Sequence, residues 1–162
     1  MRKRGLTIIE LLIVMVVMVV TISLMINIYN VGIKVFIAEK KKSDVRQNLY
    51  TAMNLINEKL QEARQISAAT NRSITFWVDS DWDVSQDTGE IYVFSWSGTN
   101  NTPLTLSISG NSRRILEGVY NFTLTYDSAI VSSIRHVKVT LNSSQDGESL
   151  TLTNSIRPRN IY

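Results

Sequence analysis

From Leu11 to Ile33 the chain carries no charged residue. About 23 residues in an α-helix, rising 1.5 Å each, reach roughly 35 Å, enough to cross the hydrocarbon core of a bilayer. The run is densest from Leu11 to Val20 and thins through Thr21, Ser23 and Asn27 to Gly32; beyond Lys34 the chain is rich in Ser, Thr, Asn and charge. Arg2, Lys3 and Arg4 precede the run, and no basic residue follows until Lys34. By the positive-inside rule this bias leaves the N-terminus in the cytoplasm and residues 34–162 outside. The expectation is a single-pass protein of the cytoplasmic membrane with an external part, which argues against a soluble cytoplasmic enzyme. With 162 residues, the chain can bury one core and hardly two.

Those three basic residues also account for the formal charge of +3, since the chain has 17 basic and 14 acidic residues. The remainder is balanced, so no surface for stable nucleic-acid binding is expected. With no cysteine, the chain offers no disulfide, zinc–thiolate site or thiol nucleophile, and His136, its single histidine, cannot build a multi-histidine metal site.

A secretory signal has a shorter apolar region that ends in a small-residue cleavage site before the mature domain. Nothing between Val20 and Lys42 supplies one, and the small residue is instead Gly5, on the cytoplasmic side of the run. Glu10 is the second oddity. An ionised carboxylate at the start of a membrane helix costs several kcal/mol unless it is paired. No basic residue lies near it on the same helix once residues 1–5 are gone.

A short basic leader, Gly5, the apolar Leu6, Glu10 and a long apolar helix together resemble the class III signal of type IV prepilins and of the pseudopilins of type II secretion. This chain has Leu6 where the family usually has Phe. The resemblance implies that a membrane prepilin peptidase cuts after Gly5 and methylates the new amino group of Leu6. It also implies that Glu10 neutralises the N-terminus of a neighbouring subunit. The partners it implies are the peptidase, other pilin or pseudopilin subunits and an inner-membrane assembly platform, with no catalytic residue and no cofactor required. The protein would reside in the inner membrane and then in a pilus or pseudopilus.

Helical periodicity continues past Lys34 through Val45, Leu49, Ala52, Met53, Ile56, Leu60, Ala63 and Ile66, with Arg46, Asn54, Asn57, Glu58, Gln61, Glu62 and Gln65 on the other face. No proline occurs before Pro103, so one helix is expected from about Leu6 to about Ala68. After Asn71 the period changes to two. Strands are expected over 73–78, 90–96, 104–108, 122–126, 134–141 and 150–156, with turns at Thr88-Gly89, Ser97-Gly98, Ser109-Gly110 and Asp146-Gly147. Short connections imply antiparallel pairing. The expected fold is α+β, a long helix on an antiparallel sheet, and the resemblance implies a ladle with a long handle. The expected divisions are a leader over 1–5, a transmembrane assembly half over 6–33, an amphipathic half over 34–69 and a sheet over 70–162. The runs Ile115–Tyr126 and Ile134–Leu141 and the closing Arg157–Asn160 are similar to the strand series of J-type minor pseudopilins and W-type minor pilins.

Three groups outside this pattern bear on chemistry. Asp79, Asp81, Asp83, Asp87 and Glu90 fall at positions 1, 3, 5, 9 and 12 of an EF-hand count, which suits calcium, although the turn glycine of position 6 is Val84. An acidic solvated loop is the simpler account, with calcium as the alternative. His136 is expected on the polar face of its strand, and no Gly-x-Ser-x-Gly elbow exists to pair with it. Trp77, Trp82, Tyr92 and Trp96 read as core or interface before they read as a ligand platform. The function expected is a structural minor pilin or pseudopilin, at the filament tip or in its shaft; the alternative is a stand-alone membrane-anchored binding module or hydrolase.

Overall fold

The computed structural model describes residues 7–145 and 147–159. Contacts divide the chain into two compact units, Met1–Lys40 and Lys41–Tyr162. The one long helix, α1 (Ile8–Glu62), contributes its first part to the former and its last part to the latter.

In the first unit every large apolar side chain from Ile8 to Ile37 is exposed, Ile8 by 83% and Phe36 by 70%. A helix apolar on all sides has no face to set against its own chain, and this one is long and apolar enough to cross a membrane. Two of its polar side chains bond back to the helix itself. Thr21 Oγ1 donates to Val17 O at 2.8 Å and Asn27 Nδ2 to Ser23 O at 3.0 Å, so each satisfies a side-chain donor on the helix's own backbone.

In the second unit the helix becomes striped. Val45, Leu49, Ala52, Met53, Ile56 and Leu60 are buried, while Arg46, Asn54 and Glu58 face outward. The stripe packs on a seven-stranded antiparallel sheet: β1 (Gln65–Ala69), β2 (Ser73–Trp77), β3 (Ile91–Ser95), β4 (Thr102–Ile108), β5 (Asn111–Tyr126), β6 (Val137–Gln145) and β7 (Glu148–Ile156). Spatial order equals chain order, as short connections require. The registers Ile74↔Phe94, Phe94↔Leu106 and Phe122↔Leu141 set apolar residues opposite one another on the inner face. Phe76 stacks at 5.8 Å on Tyr92 and 5.7 Å on Phe94. The α+β arrangement expected from the change of period is therefore present.

Several boundaries differ from the sequence reading, and β1, which was expected as helix, makes a seventh strand. The helix stops at Glu62 rather than near Ala68: Ala63 N–H reaches Leu60 O at 3.4 Å, and Arg64 N–H leaves the helix for Trp77 O at 2.9 Å. Ile66 keeps its burial but keeps it in β1, paired with Phe76. β5 begins eleven residues before Phe122 because Gly118 does not break it. Gly118 has φ 64°, and a Cβ there would lie 3.1 Å from Ser144 O, so only glycine suits this bent stretch. Finally, β6 starts at Val137, leaving His136 just outside the strand in which it was expected.

Long-range bonds bring distant segments of the second unit together. Tyr126 Oη donates to Thr70 O at 2.7 Å and Leu124 N–H to Asn71 O at 2.8 Å, bringing the end of β5 to the β1–β2 turn. Asn154 Nδ2 in β7 donates to Asn57 Oδ1 at 2.8 Å, and Arg159 N–H donates to Gln61 O at 3.1 Å.

Candidate functional site

The first candidate is the start of α1. Gly5 and Leu6 lie outside the described residues; Glu10 lies within them. Thr7 precedes the first helical residue, and Glu10 Oε2 accepts its N–H at 2.9 Å and its Oγ1–H at 3.0 Å. Thr7 Oγ1 in turn accepts Glu10 N–H at 3.4 Å. This is a capping box, which satisfies backbone donors that a helix start otherwise leaves unpaired, and it places a negative charge at the positive end of the helix dipole. Sequence reasoning looked for a cationic partner and missed the neutral local one, although the Thr7-x-x-Glu10 pattern announces it. The carboxylate is thus held by neutral donors on its own helix, and no side-chain cation within the described residues is bonded to it. Around it, Ile8, Ile9, Leu11 and Leu12 are exposed. The arrangement can receive a positive charge from outside the chain while presenting apolar surface on every side.

The second candidate is the loop between β2 and β3. Glu90 is 4% exposed and fully engaged: it accepts Trp77 Nε1–H at 2.7 Å, Ser80 N–H at 2.6 Å, Ser80 Oγ–H at 2.8 Å and Asp87 N–H at 3.4 Å. The Trp77 bond, followed by the Ser80 amide, holds its carboxyl down to about 2. Glu90 therefore ties the loop to the sheet and does not serve as the twelfth-position ligand of an EF-hand. Asp79, Asp81 and Asp83 do come together. Val84 adopts φ 65° without being glycine, so the sharp turn its side chain argued against is made nonetheless. For Asp81, the Asp83 N–H bond pulls the carboxyl down, but desolvation and the charges of Asp83 and Glu90 outweigh it and leave the group above the usual aspartate range.

Three of the four aromatic residues are committed to packing. Trp77 is bonded to Glu90, Trp96 carries the Arg72 guanidinium 5.7 Å above its ring, and Tyr92 is stacked on Phe76. Trp82 stands apart at 78% exposed. His136 Nδ1 lies 3.4 Å from Asp127 Oδ2, and the same carboxylate accepts Arg135 N–H at 3.0 Å. The Arg135 amide bond is the chief reason Asp127 titrates below its ordinary value. This cluster clasps the connection from β5 to β6.

No family model, curated protein or solved structure matches the chain.

Proposed function

We propose that the protein is a minor pilin or pseudopilin, cut after Gly5 by a prepilin peptidase and assembled through α1 into a type IV pilus or secretion pseudopilus. The observation that carries this reading is the helix whose apolar side chains from Ile8 to Ile37 find no cover among the described residues, with a carboxylate, Glu10, in its first turn. A bilayer covers such a surface in storage, and a bundle of like helices covers it in a filament. Placing the sheet-bearing unit outside the cytoplasm follows from the leader charges.

Glu10 makes assembly conditional on processing. Cleavage creates an α-amino group at Leu6, and this group on one subunit supplies the charge that Glu10 of another lacks. The exchange replaces neutral Thr7 donors by a cation in a medium of low dielectric, where the attraction is strong. Before assembly, the capping box keeps the carboxylate hydrogen-bonded.

The test is the mature N-terminus. Mass spectrometry of protein extracted from membranes that contain a prepilin peptidase should find a chain that begins at N-methyl-Leu6, and Gly5→Leu should block the cut. An intact Met1 terminus in the host's filament fraction would overturn the reading and favour a membrane-anchored module working alone.

A further inference from the structure

We propose that Asp79, Asp81 and Asp83 bind a calcium ion in the loop between β2 and β3. One carboxylate oxygen of each lies within 4.8 Å of one from each of the other two. Oxygen ligands sit about 2.3–2.6 Å from calcium, so two of them on one ion are at most about 5 Å apart, whereas magnesium at about 2.0–2.1 Å allows only about 4.2 Å. The three donors are thus gathered within the span of a calcium shell, and calcium's flexible coordination suits an irregular loop better than the near-ideal octahedron that magnesium demands. All are hard oxygens, without the nitrogen or sulfur ligands that zinc prefers.

Asp79 distinguishes this group from an ordinary solvated acidic loop. Its side chain is 2% exposed, and neither carboxylate oxygen has a hydrogen-bond donor among the described residues. Arg64 Nη1 stands 3.0 Å from Oδ2 as an ion pair, which leaves Oδ1 buried and without a donor. A buried carboxylate oxygen in that condition is costly, and an ion is one of the few things that removes the cost. Arg64 offsets one carboxylate, while Asp81, Asp83 and the fully bonded Glu90 keep the neighbourhood negative.

Asp81 and Asp83 are exposed, so the ion enters from solvent and retains water ligands. A site of three carboxylates open to water belongs to the weak class, with a dissociation constant on the order of 10⁻⁴ to 10⁻³ M. The inference rests on the loop alone and stands apart from the filament reading.

The experiment uses the full chain in detergent, stripped with EDTA and titrated with Tb³⁺ under tryptophan excitation. Trp82, flanked in sequence by two ligands, is the antenna. A saturable Tb³⁺ luminescence is expected, displaced by Ca²⁺ near millimolar concentration and not by equal Mg²⁺, together with a Ca²⁺-dependent rise in the thermal midpoint. The double variant Asp81→Asn, Asp83→Asn alters exposed side chains only and should fold, as circular dichroism will check, while losing affinity by roughly tenfold or more. Absence of a saturable, Ca²⁺-displaceable signal in the wild type overturns the proposal. So does equal displacement by Mg²⁺, or retention of the signal and the thermal shift in the folded double variant.

Discussion

Between Ile8 and Ile37 the apolar side chains of α1 face outward on every side, whereas Leu49, Ala52, Met53, Ile56 and Leu60 of the same helix lie buried in one core with the strands. Neither stretch contains an interrupting proline, but the first, rich in β-branched Val and Ile, is built from weaker helix formers than the second, which draws on Leu, Ala, Met, Gln and Lys. They differ in where the partner surface is. The second finds it in the strands that follow it in the chain. The first must be covered by lipid or by other helices, so its sequence answers to an environment while the other answers to a sheet.

The sharpest way to break this contrast is to place the same charge in each stretch. Ile56→Asp puts a carboxylate at a fully buried position and should abolish the cooperative melting transition of the external unit, because an unpaired buried charge exceeds the margin of most domains. Val17→Asp should leave that transition in place in detergent while reducing membrane insertion, at a cost of about 3 kcal/mol on insertion scales. Membrane fractionation and thermal melts of the two variants, side by side, read both outcomes; an unfolded Val17→Asp would end the distinction between the units.

Truncation gives a smaller effect of the same kind. Leu60→Ala should lower the unfolding free energy by about 2–5 kcal/mol, and Leu24→Ala, at an exposed position, should change it by less than about 0.5 kcal/mol. Denaturant melts in detergent check the pair.

Acid should loosen the external unit through Glu90. Its carboxyl is held at about 2 against an ordinary 4.5, so its contribution is complete above about pH 4.5 and is lost as the pH falls toward 2. The thermal midpoint should fall through that window. Glu90→Gln should be less stable at neutral pH, converge on the wild type near pH 2 and show a flatter profile, with Asp127 contributing part of the remaining slope in the same direction. A Glu90→Gln profile parallel to the wild type would assign the acid sensitivity elsewhere.

The finest test concerns Glu10. Glu10→Ala should leave insertion, cleavage and the external fold unchanged while lowering the ratio of filament to membrane pool by roughly tenfold, the scale of one lost charge-assisted hydrogen bond. Thr7→Ala removes the local cap and keeps the carboxylate, so it separates the capping role from the pairing role. Equal incorporation of wild type and Glu10→Ala in sheared filaments would remove the pairing role.

What could be read from the sequence depended on whether a residue's burial identifies its backbone state. The stripe from Val45 to Leu60 and the alternation of Val137, Val139 and Leu141 did so, because periods of 3.6 and 2 place different residues on the inner face. Ala63 and Ile66 did not: both are buried, at a spacing that suits a helix as well as a turn into a strand, and only the pairing Gln65↔Trp77 decides between them. The first part of β5 was not legible either, because it passes through Gly118, whose positive φ is accommodated only beside the neighbouring strand, where a Cβ would meet Ser144 O. At the sites, the spacing of the aspartates was legible while the capture of Glu90 by Trp77 and Ser80 was not, because nothing in an EF-hand count reveals which carboxylate faces the protein. Glu10 was legible as an anomaly, and its capping box was legible too, through Thr7.

The agreement between strand order and chain order bears on how the external unit is made. A chain delivered N-terminus first presents α1 before any strand, and each strand that follows pairs with the one before it. Folding can therefore proceed by local closures, with short loops and small entropic penalties, the regime in which chains fold quickly. The bonds from Asn154 to Asn57 and from Arg159 to Gln61 join the two ends of this process. They form only when β7 is out, so residues delivered late fasten the helix made before the sheet, and a chain interrupted before β7 leaves β6 as an unpaired edge and the polar flank of the helix unfastened.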